Sequence, residues 1–424
     1  MHLFTLLFIS AITIGVLLQL WLMQRQQRHV ATHRAQVPSA FADRVTLEEH
    51  QKAADYTRAK LAIGHIGLLI GTGLLLVWTL GGGIDLLHRQ WQQWPVDPVW
   101  GGIGLIFSVS LVSALLELPL GIWNTFVLEA RFGFNRTTPR RFITDLLLQL
   151  LLALLLGLPL LWVILWLMER AGDSWWLAAW AVWMGFMLLM IWVYPTLIAP
   201  LFNKFTPLEE GPLKQRIQGL LERCGFTSKG IFIMDGSKRS GHGNAYFTGF
   251  GKHKRIVFFD TLAESLDGDE MEAVLAHELG HFKRRHILKH LLLSTTLSLL
   301  GFALLGWLAG QPWFYQALGV SGQSSALALL LFMLALPVFT QFLHPLMAIL
   351  SRRHEFEADD FAVAQAGAEP MIRALVKLYR ENASTLTPDP LYSAFHDSHP
   401  PAPVRVAHLS AKIPPGSTPD KETA

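Results

Sequence analysis

Apolar residues along this chain are gathered into long runs. Seven stretches, roughly 3–23, 62–82, 99–120, 142–168, 175–199, 288–310 and 325–350, are each long enough to cross a bilayer as a helix. One such run could be a buried core helix of a soluble protein, but seven argue against it. Two polar blocks separate and follow them. In 200–287 a helical period covers 208–223, with Leu213, Ile217, Leu220 and Leu221 on one face. Strand-like runs follow at Ile231–Asp235 and Lys254–Asp260, with the polar stretch Ser240–Phe250 between them. A charged, periodic helix from about Asp269 leads towards the sixth run. Residues 351–424 read as a helix over 355–381, a Pro/Ser/His-rich 384–403, a short helix over 404–412 and a disordered tail. No internal repeat is evident.

The expected fold class is an all-α multi-pass membrane protein with seven transmembrane helices and a small cytoplasmic α+β domain. Its divisions are 1–199 (five spans), 200–287, 288–350 (two spans), 351–412 and the tail 413–424. Lys and Arg set its orientation. Loops 24–61 and 121–141 are rich in them, whereas loop 83–98 has only Arg89, loop 169–174 only Arg170, and loop 311–324 has none. The alternation puts the N-terminus outside and the C-terminus and 200–287 in the cytoplasm. The first run lacks a basic start and a small-residue cleavage site, so it reads as a retained anchor. Glu117 lies inside the third run, where a charge is costly; it either faces a wet cavity or pairs with a neighbouring helix. Asp145 near the start of the fourth run reads as solvated.

Composition narrows the chemistry. The chain is 51% hydrophobic and 16% charged, against about 25% charged in soluble domains. That apolar content excludes a disordered chain. A net charge of +3 over 424 residues disfavours a nucleic-acid partner. The single cysteine, Cys224, excludes a disulfide framework and a cysteine-built metal cluster.

One motif carries chemistry. His277-Glu278-Leu279-Gly280-His281 is H-E-x-x-H, expected about 0.03 times by chance in a chain of this length. On a helix, two histidines four apart share a face and can reach one ion. Glu278 beside them can take a proton from water. Asp267 or Asp269 can cap that helix. A catalytic zinc keeps three protein ligands, so one is missing. The best candidate is Glu355, in the segment directly after the seventh run, with Asp359 one turn on to orient a ligand imidazole. Spacing alone leaves Glu357 and His354 open. His286 and His290 read as lying on the same helix, too far round or along it to join the site, and as sitting at the cytoplasmic interface of the sixth run.

These residues, with 47–53 (LEEHQKA), 128–135 (LEARFGFN), 200–205 (PLFNKF), 240–250 (SGHGNAYFTGF), 255–262 (RIVFFDTL) and Asp389-Pro390-Leu391-Tyr392-Ser393 followed by Ser398-His399-Pro400, carry a resemblance that covers most of the chain. The chain resembles the integral-membrane zinc CAAX prenyl endopeptidases. The resemblance implies a chamber enclosed by the seven helices and one zinc per chain, held by His277, His281 and Glu355. It further implies Glu278 as general base and Asp359 as an orienting residue or proton donor. His399 would stabilise the oxyanion and Asn244 would hold the substrate backbone. By spacing alone, Asn244–Phe247 reads as an edge strand for an extended peptide or as an ordinary hairpin. The implied partners are a peptide or lipidated protein substrate and the lipid bilayer; no oligomeric state is implied.

The leading expectation is therefore a membrane-embedded zinc metalloendopeptidase cutting near the C-terminus of CAAX-type or other membrane-associated substrates. General quality-control proteolysis of membrane proteins is the alternative. A non-catalytic zinc-binding membrane scaffold fits less well, because Glu278 fills the general-base position. Compact loops lean towards a bacterial inner membrane.

Overall fold

The computed structural model describes residues 2–228, 230–248 and 255–413. Gly249, Phe250 and Lys254, which belong to the sequence-read polar stretch and strand, and the tail from 414, lie outside these residues. Among the described residues there are seven long apolar helices: Leu3–Thr32, Leu47–Trp78, Pro98–Glu129, Pro139–Arg170, Gly172–Phe202, His286–Ala309 and Ser325–Ala366. They contain all seven sequence-read runs, apart from a few end residues, and most extend further. At 1.5 Å per residue, a helix of 32 residues is about 48 Å long, well beyond a hydrocarbon core of about 30 Å. Between 6% and 39% of each span's apolar window is buried, as expected of helices with one face to lipid and another to an internal space.

The polar block between spans five and six folds as expected in class, with additions. Its helix is Pro212–Arg223, with Ile217, Leu220 and Leu221 buried. Four strands form one sheet: β1 (Phe205–Pro207), β2 (Ile231–Met234), β3 (Ala245–Thr248) and β4 (Arg255–Phe259), in the order β1-β2-β4-β3. β2 and β4 are parallel; β1 and β3 pair antiparallel to β2 and β4 respectively. β3 is thus an edge strand. β1 has no counterpart in the sequence reading, because three residues ending in proline carry no strand pattern of their own.

The motif helix runs Gly268–Lys283 and Asp267 is its cap, closing a reciprocal capping box with Glu270 at 2.9 and 3.0 Å. The helix read over 355–381 is two helices. One continues from the seventh span as His344–Ala366, and Ala368–Glu381 follows. Gly367 between them sits at φ 86°, a left-handed conformation that breaks the first helix and re-aims the chain. The segment 384–403 contains a short helix, Pro390–His396, and the last helix is Ala402–Ser410. Two main cores result. One lies among the spans; the other joins the sheet, the motif helix and the C-terminal helices.

Candidate metal centre

The motif helix is buried almost throughout, from Glu270 to Gly280. It lies against His344–Ala366 so closely that a β-carbon on Gly280 would sit 2.9 Å from the Ala358 α-carbon. This approach brings Glu355 to the two motif histidines. His277 Nε2 and His281 Nε2 are 3.3 Å apart. Glu355 Oε2 is 3.4 Å from the first, and its Oε1 is 3.4 Å from the second. Glu357 and His354, left open by spacing, point elsewhere. His277 and Glu355 are buried, 6% and 4% exposed, and Glu355 Oε2 has no hydrogen-bond partner. A buried carboxylate with one unsatisfied oxygen, facing two imidazole nitrogens across its two oxygens, fits a metal ion.

Asp359 lies behind His277. Its Oδ1 is 2.8 Å from His277 Nδ1, leaving Nε2 for the ion. Asp359 is wholly buried, and the sequence reading missed what neutralises it. Arg405 grips both of its oxygens, at 2.9 Å from Nε and 2.5 Å from Nη2, and its Nη1 is 3.8 Å from Glu355 Oε2. The signal was present. The buried face of Ala402–Ser410 is Ala402, Arg405, Val406 and Leu409, so Arg405 stands in an apolar stripe of helical spacing.

Burial works against a charged His277 ring, but the adjacent carboxylates of Asp359 and then Glu355 prevail and push its pKa up to about 9 in the metal-free protein. Glu278 is half-buried beside the histidines. Burial pushes its carboxyl up, against the pull of the neighbouring His277 and His281 rings. A carboxylate with a raised pKa is suited to take up a proton near neutral pH.

His399 Nε2 is 3.5 Å from Glu355 Oε1, and its side chain is 63% exposed. Ser398 Oγ lies 3.0 Å from the other ring nitrogen. His399 and the exposed Asn244 line one cavity of about 820 Å³, together with Tyr392, Phe259 and Lys60. Asn244 precedes β3, and Asn382 pins the adjacent Gly243 through both backbone groups, at 3.1 and 3.3 Å. Asn382 was not singled out from the sequence.

Two sequence expectations are corrected. Arg285, at φ 58°, ends the motif helix, so His286 and His290 are not on it; they lie at the start of the sixth span, as its interface was read, and His286 folds back to 3.0 Å from His281. Asp145 is not solvated: Arg239 from the polar stretch holds it in a fork at 2.7 and 2.8 Å. Glu117 is exposed and has no hydrogen-bond or ion-pair partner among the described residues.

The chain is similar to known proteins over most of its length. Residues 26–204 match the family described as CAAX prenyl protease N-terminal, five membrane helices, and residues 207–413 match peptidase family M48. The chain belongs to family M48, in its CAAX prenyl protease group. It is 35% identical to a CAAX prenyl protease 1 homolog of Dictyostelium discoideum, over 92% of each protein. It is 33% identical to CAAX prenyl protease 1 of Saccharomyces cerevisiae, covering 92% of this chain and 91% of that one. The crystal structure of S. mikatae Ste24p superposes with a TM-score of 0.88 at 32% identity, over 96% of this chain and 99% of that one. The M48 chain is thus a multi-pass membrane metallopeptidase of the expected fold class.

Proposed function

We propose that this M48 protein is a zinc endopeptidase that cuts near the C-terminus of prenylated CAAX-type or other membrane-associated proteins. The observation that carries it is the convergence of His277, His281 and Glu355 next to Glu278, at the edge of a cavity lined by Asn244 and His399. His277, His281 and Glu355 would hold one zinc ion per chain, and Asp359 with Arg405 would fix the His277 ring. Zinc bound there supplies Lewis acidity, polarising the scissile carbonyl and lowering the pKa of water towards ~7.

The chain's own residues do the rest. Glu278 takes the proton of the attacking water and delivers it to the leaving amine. His399 donates a hydrogen bond to the oxyanion of the tetrahedral intermediate. The substrate runs extended along the free edge of β3, and Asn244 holds its backbone. Peptides reach this edge from the membrane side that bears the polar block. Loops 24–61 and 121–141 carry most of the loop Lys and Arg, which puts that side in the cytoplasm and the N-terminus outside. The relatives named above are eukaryotic, so a bacterial membrane rests on loop length alone.

The test uses a farnesylated CAAX peptide and its unprenylated twin. Wild type cleaves the farnesylated peptide. Glu278→Gln retains zinc and loses at least about 100-fold in kcat. Equal turnover by the two enzymes sinks the endopeptidase assignment. Equal cleavage of both peptides by the wild type moves the substrate class to general membrane-protein quality control.

A further inference from the structure

His277 has a carboxylate behind it; His281 has a longer chain of partners. The motif helix ends abruptly because Arg285, which bears a β-carbon, adopts φ 58°, a conformation such residues rarely take. One residue later the sixth span starts, and its first residue, His286, is turned back under the motif helix and 2% exposed. His286 Nδ1 lies 3.0 Å from His281 Nδ1, and its Nε2 lies 3.1 Å from Glu357 Oε2. Arg353 at 3.5 Å and Lys289 at 3.8 Å flank that carboxylate. The His354 ring stacks on His286 at 4.0 Å and 14°.

Donor counting runs this chain in one direction. An ionised carboxylate only accepts, so His286 Nε2 carries the hydrogen. A neutral His286 then has only a lone pair at Nδ1. His281 must donate from Nδ1, which leaves its Nε2 bare, beside His277 Nε2 and Glu355 Oε1. We propose that His286 and Glu357 are positioning residues for the metal centre, setting the tautomer and ring angle of His281 so that Nε2 faces the ion. The inference rests on the zinc reading above. It also ties the centre to the membrane domain, since His286 opens span six and Glu357 lies on the helix that continues span seven.

The experiment measures zinc affinity of the full-length protein by chelator competition, with the visible spectrum of the cobalt-substituted form as a second readout. His286→Ala and Glu357→Ala are expected to weaken zinc binding 10- to 100-fold and to shift the cobalt bands. The double variant should be no weaker than His286→Ala, because one chain is cut twice. His286→Gln keeps an acceptor for His281 and should stay within a few-fold of wild type. Melting of the zinc-free proteins separates misfolding from lost ligation. If His286→Ala does not fold, the half-exposed Glu357 keeps the question open to measurement. Wild-type affinity and an unchanged cobalt spectrum in His286→Ala or Glu357→Ala overturn the proposal, as does a Gln variant as weak as Ala. His277→Ala is the control. If it also keeps full affinity, the metal lies elsewhere and the zinc reading itself falls.

Discussion

Arg405 decides the charge balance of the metal centre. It faces two buried carboxylates, Glu355 and Asp359, beside His277. Removing one partner of a buried ionic group leaves uncompensated charge, at about 3–5 kcal/mol. Arg405→Met should therefore lower the stability of the zinc-free protein by about that amount, seen as a fall in melting temperature. Zinc retention should drop as well, because Asp359 loses the group that holds it against His277. His277 itself gives a pH prediction. Its proton stays on up to about pH 9 in the metal-free protein, and a metal needs the bare nitrogen. Zinc affinity should rise with pH up to about 9 and level off above it. Calorimetry at pH 7 in two buffers of different protonation enthalpy should show close to one proton released. No proton release would contradict this. The histidines and Glu278 were readable because a motif keeps its members within one turn. Arg405 lies 128 residues from His277, and only packing brings them together.

At the scale of elements, the centre depends on how closely two helices approach. Gly280 is the contact point, and the two nearest atoms facing it are backbone atoms of Ala358. They cannot swing aside as a side chain would, so Gly280→Ala must push the helices apart. A cost of about 1–3 kcal/mol is expected, with weaker zinc binding because Glu355 retreats from both histidines. Melting temperature and chelator competition check it; an unchanged zinc affinity would mean that the helices tolerate the methyl. Long periodic elements were legible in the sequence, since a span or an amphipathic helix repeats its signal over many residues. Short ones were not. β1 exists because β2 offers it an edge, and the break at Gly367 is one residue inside an otherwise helical pattern.

Across the whole molecule, the first span is tied to the C-terminal segment. Arg25 forks onto Asp389 at 3.2 and 2.9 Å, and Gln26 accepts the Asp389 backbone N–H at 2.6 Å. Asp389 in turn caps the Pro390–His396 helix, which leads into the loop bearing His399. Arg25→Ala should let that loop drift from Glu355. A displacement of about 1 Å at a reacting centre can cost about 100-fold, so kcat should fall about 10- to 100-fold with zinc content unchanged. Loss of zinc instead would show that the tie supports the ligands themselves.

The sequence by itself determined the membrane class, the seven spans and the H-E-x-x-H motif. All of these are local properties: apolar run length and the spacing of residues on one helix. Only the tertiary structure decided which carboxylate meets the histidines, that Arg405 neutralises Asp359 behind His277, and that the break at Arg285 turns His286 back beneath the motif helix. Those are matters of distance between segments far apart in the chain. Such distances follow from helix packing and a single left-handed residue, neither of which leaves a periodic trace in the sequence.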